Sequence, residues 1–123
     1  MSKNIHALTP TPPMGWNSFD CYGTCASERV LLENLEVMAK RLKPAGYQYF
    51  VLDIGWYGEH DIKPGHTYPT IKHANNVNMD EYGRYIPSKC YFPNGLKHII
   101  EKTHEAGFKF GIHIMRGIPR KAV

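Results

Sequence analysis

Two spacings of hydrophobic residues alternate along this chain. Residues 47–54 (YQYFVLDI) and 108–114 (FKFGIHI) are nearly continuous apolar runs, and runs of this length are typical of strands buried on both faces. Before each run, apolar residues recur every three or four positions, as expected for a helix with one face in the core. The pattern therefore predicts alternating helices and strands.

The first helix is predicted over residues 28–43. Ser27 is a favourable N-cap, and Glu28 lies in the first turn, where its charge faces the positive end of the helix dipole. Pro44 and Gly46 end the helix. Its apolar stripe, which we expect to be a core face and nothing more, consists of Leu31, Leu35, Met38 and Leu42.

A second helix is predicted over residues 95–106, with Asn94 as its N-cap and Gly107 at its end. We expect its inner face to consist of Leu96, Ile99, Ile100 and Thr103. A short strand is expected earlier in the chain, at residues 14–19 (MGWNSF), after a stiff proline-rich stretch.

The stretch from residue 55 to about 94 has no strong periodicity. Connections between a strand and the next helix ordinarily have about 2–6 residues, so this one is expected to be functional or to carry a structure of its own. Residues 77–80 and 84–86 flank a Glu-Tyr-Gly turn and form a plausible hairpin.

One junction occurs twice. Residues 45–49 (AGYQY) end one helix and open one strand, and residues 106–110 (AGFKF) do the same one unit later. Repeated strand–helix–strand units predict adjacent parallel strands, with the helices on one side of the sheet. Periodicity alone fits both a (β/α)₈ barrel and an open doubly wound sheet. No G-x-G-x-x-G follows the first strand, which argues against dinucleotide binding.

Composition narrows the classes of protein. A hydrophobic content of 42% with 21% charged residues is ordinary for a globular chain. The net charge of +4 comes from scattered basic residues with acidic residues between them, so we expect no nucleic-acid partner. No apolar run approaches the roughly 20 residues of a membrane span, and the N-terminus lacks an apolar signal core. We expect no membrane partner and a cytoplasmic protein.

Cysteines and histidines are too dispersed to suggest bound groups. Cys21, Cys25 and Cys90 are an odd number in a chain without an export signal, which predicts free thiols. The seven histidines show no spacing of the H-x-x-x-H kind. We expect neither a metal nor another cofactor.

Four collinear segments carry distinctive motifs: residues 11–19 (TPPMGWNSF), 45–56 (AGYQYFVLDIGW), 80–84 (DEYGR) and 92–112, which begin FPNGL and end KFGI. They resemble T-P-P-M-G-W-N-S-W, A-G-Y-x-Y…L-D-D-C-W, D-x-x-G-R, and F-P-x-G followed by a strand ending K-[LF]-G-I-Y. These are motifs of glycoside hydrolase family 27, which contains α-galactosidases and α-N-acetylgalactosaminidases. The following residues, 113–120 (HIMRGIPR), look like a bacterial subgroup.

This resemblance implies a partial (β/α)₈ TIM barrel made of the first three βα units. A complete barrel needs about 250 residues, so residues 1–123 would form the N-terminal portion of a glycoside hydrolase catalytic domain. The implied activity is hydrolysis of a terminal α-linked galactose or a related sugar with retention. Both catalytic carboxylates are expected beyond Val123, so these residues alone are expected to be inactive.

The resemblance also suggests substrate-binding residues. Asp53 matches a sugar-binding aspartate, Phe19 takes the place of a sugar-stacking tryptophan, and His113 takes the place of a tyrosine at the end of the third strand. Trp56 and Arg116 are further candidates. The alternatives are a structural carboxylate for Asp53, a packing aromatic for Trp56, a core histidine for His113 and a salt bridge for Arg116. Nearby, Asn17 is expected to organise a turn.

Two departures from the family pattern change the expected pocket. Ile54 stands where the family has a second aspartate, which removes one contact to a sugar hydroxyl, and buried contacts of this kind dominate discrimination between sugars. Gly55 stands where relatives have the cysteine of D-C-W, so the disulfide of secreted relatives cannot form there.

Two other functional classes stay open. The chain is also compatible with a non-catalytic carbohydrate-binding remnant, and with an α/β enzyme of unrelated chemistry. The expected partners are an α-galactoside or related carbohydrate and, through unpaired sheet edges, further copies of the chain.

Overall fold

The computed structural model describes residues 10–58, 77–115, 117–118 and 120–123. In these ranges the strands are β1 (Gly15–Asn17), β2 (Tyr49–Leu52) and β3 (Lys109–Ile112). The helices are α1 (Phe19–Tyr22), α2 (Glu28–Arg41) and α3 (Lys97–Glu105), with short 3₁₀ turns at Lys43–Ala45 and Arg120–Ala122. No helix in the described part of the chain is long and apolar enough to cross a membrane.

The strands form one parallel sheet in the order β1-β2-β3. Tyr49 at the start of β2 is in register with Gly15 of β1 and with Lys109 of β3. The prediction that the segments 47–54 and 108–114 are adjacent and parallel is therefore confirmed. The register aligns the carboxyl ends of all three strands at one edge of the sheet.

The first strand is shorter than predicted. Residues 14–19 were expected to be extended, but β1 ends at Asn17, and Phe19 begins α1. The side-chain Oδ1 of Asn17 accepts the Phe19 N–H at 2.8 Å, and such a local bond from an asparagine to the backbone turns the chain.

Helix α2 begins as predicted. Ser27 is extended and its Oγ accepts the Val30 N–H at 3.4 Å, as an N-cap should. The helix stops two residues before the predicted end because Lys43–Ala45 tightens into a 3₁₀ turn, and Gly46 closes it at φ +91°. The buried part of its stripe is Leu31, Leu35 and Met38, with Leu42 packed partly buried beside them.

Helix α3 departs from prediction at its start. Leu96, not Asn94, occupies the N-cap position, and no side chain caps the helix. The Asn94 amide instead donates to Glu28 Oε1 at 3.0 Å, and His98 Nε2 lies 2.8 Å from the same oxygen. These side chains join the N-terminal ends of α2 and α3. Gly107 follows the helix at φ +81°, as predicted.

The two faces of β2 have different surroundings. Phe50 and Leu52 are fully buried beneath the helices, and Trp16 of β1 stacks on Phe50 with ring centroids 4.7 Å apart. Tyr49 and Val51, on the opposite face, are only half-buried. The expectation of burial on both faces is therefore wrong, because the described residues supply helices to one face and no layer to the other.

A small hairpin lies in the loop between β2 and α3, within residues 77–86. Met79 and Tyr85 form an antiparallel bridge, which confirms the predicted hairpin. Asp80 closes the turn by accepting the backbone N–H groups of Tyr82 and Arg84, both at 2.9 Å. Desolvation disfavours ionisation of Asp80, but these bonds and the Arg84 guanidinium hold the pKa of the carboxyl below its ordinary value.

Candidate functional site

Three polar side chains meet where the parallel strands end. Asn17 is the last residue of β1, Asp53 follows β2, and His113 follows β3. These three residues lie close together because the register places the ends of successive strands side by side. This edge is where parallel α/β folds ordinarily bind their ligands.

Asp53 is held from three sides. Its Oδ2 accepts the Asn17 Nδ2–H at 2.8 Å, and its Oδ1 accepts the Ile54 N–H at 2.6 Å. His113 Nδ1 lies 3.4 Å from Oδ1. The side chain is 14% exposed, so it is largely but not fully buried. The hydrogen bond from the Ile54 N–H is the contact expected if Asp53 only organises the loop. The remaining exposure of the Asp53 side chain leaves a role in binding open.

His113 is not enclosed in the core. Its backbone N–H donates to the Leu52 carbonyl at 2.9 Å, which continues the ladder between β2 and β3. The ring is 40% exposed, although Nδ1 itself is inaccessible beside Asp53. The exposed part of the imidazole therefore lies away from Nδ1. This exposure disfavours the alternative of a core histidine.

The two aromatic candidates differ in accessibility. Phe19 opens α1 and is 49% exposed, so a flat apolar face is available beside the strand ends. Trp56 is 6% exposed, and its Nε1–H donates to the His113 carbonyl at 2.9 Å. Its ring also packs edge-on against Tyr57 at 5.0 Å. These contacts favour the packing alternative for Trp56. Arg116 lies outside the described residues.

The loop after β2 carries the two departures from the family pattern. Ile54 packs partly buried against the core and brings no hydrogen-bonding side chain to the strand end. Gly55 has φ +102°, and a Cβ built there would lie 2.7 Å from the Cβ of Thr24. The loops after β1 and β2 thus approach each other at a glycine.

The predicted free thiols are confirmed for Cys21, Cys25 and Cys90. Burial raises the pKa of the Cys25 thiol, and this effect outweighs the opposing hydrogen bonds from Tyr91 and Thr24. Cys21 and Cys90 are exposed.

Sequence reasoning missed one residue at the site and understated another. Ser18 is fully buried, and its Oγ accepts the Asp53 backbone N–H at 3.0 Å. Asn17 was expected to organise a turn, which it does, but its amide also reaches Asp53. The available signal was their position directly at the end of β1, beside the strand that carries the aspartate.

These groups together suit recognition of hydroxyl groups. A carboxylate accepts hydrogen bonds, an imidazole donates or accepts them, and an exposed aromatic ring packs against C–H bonds. Asp53 supplies one carboxylate, whereas retention at a glycosidic bond requires two carboxyl groups about 5–5.5 Å apart. The described site is therefore equipped for binding.

The site lies at the carboxyl edge of a parallel sheet, where many α/β proteins bind their ligands. Comparison with known proteins identifies the family. No protein-family model matches the chain. An α-galactosidase of Cyamopsis tetragonoloba is 31% identical over 109 residues, which are 88% of this chain and 22% of that relative. An α-galactosidase of Schizosaccharomyces pombe is 32% identical over 93% of this chain and 22% of its own length.

Solved structures agree with these relatives. A family 27 β-L-arabinopyranosidase from Geobacillus stearothermophilus, in complex with arabinose, matches with a TM-score of 0.79 and 44% identity over 99% of this chain and 28% of its own. The chain belongs to glycoside hydrolase family 27. It spans about a fifth of the length of the curated relatives that it matches.

Proposed function

We propose that this chain is the N-terminal part of a retaining glycoside hydrolase that acts on a terminal α-linked galactose or a closely related sugar. The observation that carries the proposal is the partly exposed Asp53 carboxylate between Asn17 and His113 at the carboxyl edge of the sheet. The curated α-galactosidases that match 88–95% of the chain support it. The sheet is proposed to be one side of a (β/α)₈ barrel.

In this proposal the described residues bind the sugar. Asp53 accepts a hydrogen bond from a sugar hydroxyl, and the exposed edge of His113 contacts a second one. Phe19 packs against the apolar face of the pyranose ring. Trp56 shapes the site by fixing the His113 carbonyl, and Arg116 is retained as a candidate contact to a hydroxyl. The nucleophile and the acid/base belong to other parts of the full-length protein.

A second candidate substrate is a β-L-arabinopyranoside. This sugar has the ring configuration of α-galactose but lacks its hydroxymethyl group. Ile54 offers an apolar side chain where the family pattern has a carboxylate, which favours a substrate with one hydroxyl fewer. The Geobacillus enzyme that matches at 44% identity is named for activity on this sugar.

The test is a comparison of substrates and variants in the full-length protein. Hydrolysis of an aryl α-D-galactopyranoside and of an aryl β-L-arabinopyranoside would be measured, and the larger kcat/KM identifies the sugar. Asp53→Asn should lower kcat/KM by a factor equivalent to about 2–4 kcal/mol of transition-state stabilisation, because a charge-assisted hydrogen bond to a buried hydroxyl is lost. Asp80→Asn is the matched control, since Asp80 is a hydrogen-bonded aspartate on the hairpin.

Three results would contradict the proposal. Binding of these sugars without turnover would indicate a carbohydrate-binding remnant. Failure to bind or hydrolyse either sugar would indicate unrelated chemistry. An unchanged kcat/KM for Asp53→Asn with lowered thermal stability would show that Asp53 is a structural carboxylate.

A further inference from the structure

The side chain of Asn17 makes two hydrogen bonds that only one orientation of its amide allows. Its Oδ1 accepts the Phe19 backbone N–H at 2.8 Å, and its Nδ2 donates to Asp53 Oδ2 at 2.8 Å. A backbone N–H cannot accept a hydrogen bond, and a carboxylate cannot donate one. The amide is therefore locked at both ends, between the turn after β1 and the carboxylate after β2.

The backbone of Asp53 is anchored separately from its side chain. Ser18 Oγ accepts the Asp53 N–H at 3.0 Å, and the Ser18 N–H donates to the Val51 carbonyl at 3.1 Å. These contacts fix where the Asp53 backbone lies, but they leave rotation about its side-chain bonds free. The Ile54 N–H on Oδ1 and the Asn17 amide on Oδ2 restrict that rotation, and Asn17 is the side chain that does so.

The contacts also determine which acceptor positions of Asp53 remain available. A carboxylate offers about four such positions, two on each oxygen. On Oδ1, one position is used by the Ile54 N–H, and His113 Nδ1 lies 3.4 Å from the same oxygen without a hydrogen bond. On Oδ2, Asn17 uses one position. One position on Oδ2 is left, on the oxygen whose direction Asn17 sets.

We propose that Asn17 is a positioning residue that orients the Asp53 carboxylate toward a substrate hydroxyl. The inference rests on the proposed function, in which Asp53 binds the sugar. A neutral amide suits this task, because it donates a hydrogen bond without cancelling the negative charge that strengthens the bond to substrate.

The deciding variant is Asn17→Asp, measured in the full-length protein. The new carboxylate has the same shape and still accepts the Phe19 N–H, so the turn is preserved. It cannot donate to Asp53, and two carboxylates in contact repel each other. We expect kcat/KM to fall by about tenfold or more at neutral pH, mainly through a higher KM.

The pH profile distinguishes positioning from a general structural role. Two adjoining carboxylates share one proton, so the pKa of the pair for that proton is raised. Below that raised pKa, the protonated carboxyl donates to its partner, and the pair again has one hydrogen bond and one negative charge. The ratio of variant to wild-type kcat/KM should therefore rise as pH falls. Among the described residues, the titratable side chain beside Asp53 is His113.

A second variant, Asn17→Ser, keeps a neutral acceptor for the Phe19 N–H but is too short to reach Asp53. It should also lower kcat/KM at neutral pH, by less than Asn17→Asp because it adds no repulsive charge, and it should show no recovery at low pH. It replaces Asn17→Asp in the test if that variant does not fold. A kcat/KM equal to that of the wild type in either folded variant would overturn the inference. Asn17 would then only organise the turn after β1. An unchanged Asp53→Asn would instead refute the proposed function, so the two failures are distinguishable.

Discussion

The two faces of the central strand show how differently stability and function are distributed in this molecule. Phe50 and Leu52 on one face are enclosed by the helices and by Trp16. On the other face Tyr49 and Val51 are half-buried, and the strand continues into Asp53 at the site. The helix-covered face is complete within the described residues. The site-bearing face is less buried within the same residues.

This difference separates what the chain holds together from what it does. Burial of the large apolar side chains on the helix side gives the sheet a core of its own. The opposite side presents half-buried residues and the polar groups at the strand ends. We therefore expect changes on the helix side to alter stability, and changes at the strand ends to alter activity.

The largest expected effect concerns the chain by itself. Purified residues 1–123 should not hydrolyse aryl α-galactosides, because Asp53 alone cannot serve as both nucleophile and acid/base. The full-length protein, assayed beside it, is the control. Activity that survived further purification and was lost in Asp53→Asn would contradict this prediction and would place chemistry on the site face described above.

The helix-covered face is tested by Phe50→Ala. This change should lower the free energy of unfolding of the full-length protein by about 3–5 kcal/mol, since it removes a fully buried ring and the stacking of Trp16. Chemical denaturation measures the effect. Val37→Ala, at an exposed position of α2, should stay within about 0.5 kcal/mol of the parent protein. Equal effects of the two changes would show that the face is not the core.

The site-bearing face is tested by Phe19→Ala. Loss of its apolar contact with the sugar should lower kcat/KM by a factor equivalent to about 1–3 kcal/mol of transition-state stabilisation. Stability should change little, because about half of the ring is already exposed. Tyr82→Ala removes another exposed aromatic, on the hairpin, and should leave kinetics unchanged. If Phe19→Ala instead lowered the unfolding midpoint and spared kcat/KM, Phe19 would belong to the core side of the comparison.

The smallest expected effect lies at the start of α2. Ser27→Ala removes the acceptor of the Val30 N–H and should cost about 1 kcal/mol of stability. Ser27→Asp is the matched control, because it restores an N-cap acceptor. Thermal unfolding of the three proteins should place Ser27→Ala lowest, with unaltered kcat/KM. A kinetic effect without a stability effect would break the separation between the two faces.

The elements that sequence predicted well are those set by local interactions. The start of α2 follows from Ser27 and its neighbour Glu28, and the turns that close the helical units follow from Gly46 and Gly107. Asn94 was misassigned because its amide bonds to Glu28, 66 positions away in the chain. No local pattern encodes a contact of that separation.

The same distinction applies to the site. Asp53 and His113 could be proposed because they match positions of the family motifs near the ends of predicted strands, and parallel strand ends share an edge. The contacts of Ser18 and Asn17 with Asp53 depend on the register between β1 and β2, which hydrophobic spacing does not specify at single-residue accuracy. The roles of Ser18 and Asn17 are therefore evident only from the three-dimensional structure.

Gly55 has a consequence for attempts to crosslink this protein. Thr24 presents backbone to it, with the carbonyl oxygen 2.6 Å and Cα 2.9 Å from where a Cβ would lie. Its φ of +102° is also unfavourable for any L side chain. A cysteine introduced here for an engineered disulfide would have to displace the Thr24 main chain before it met a partner thiol. Oxidative stapling of these two loops calls for a different pair of positions.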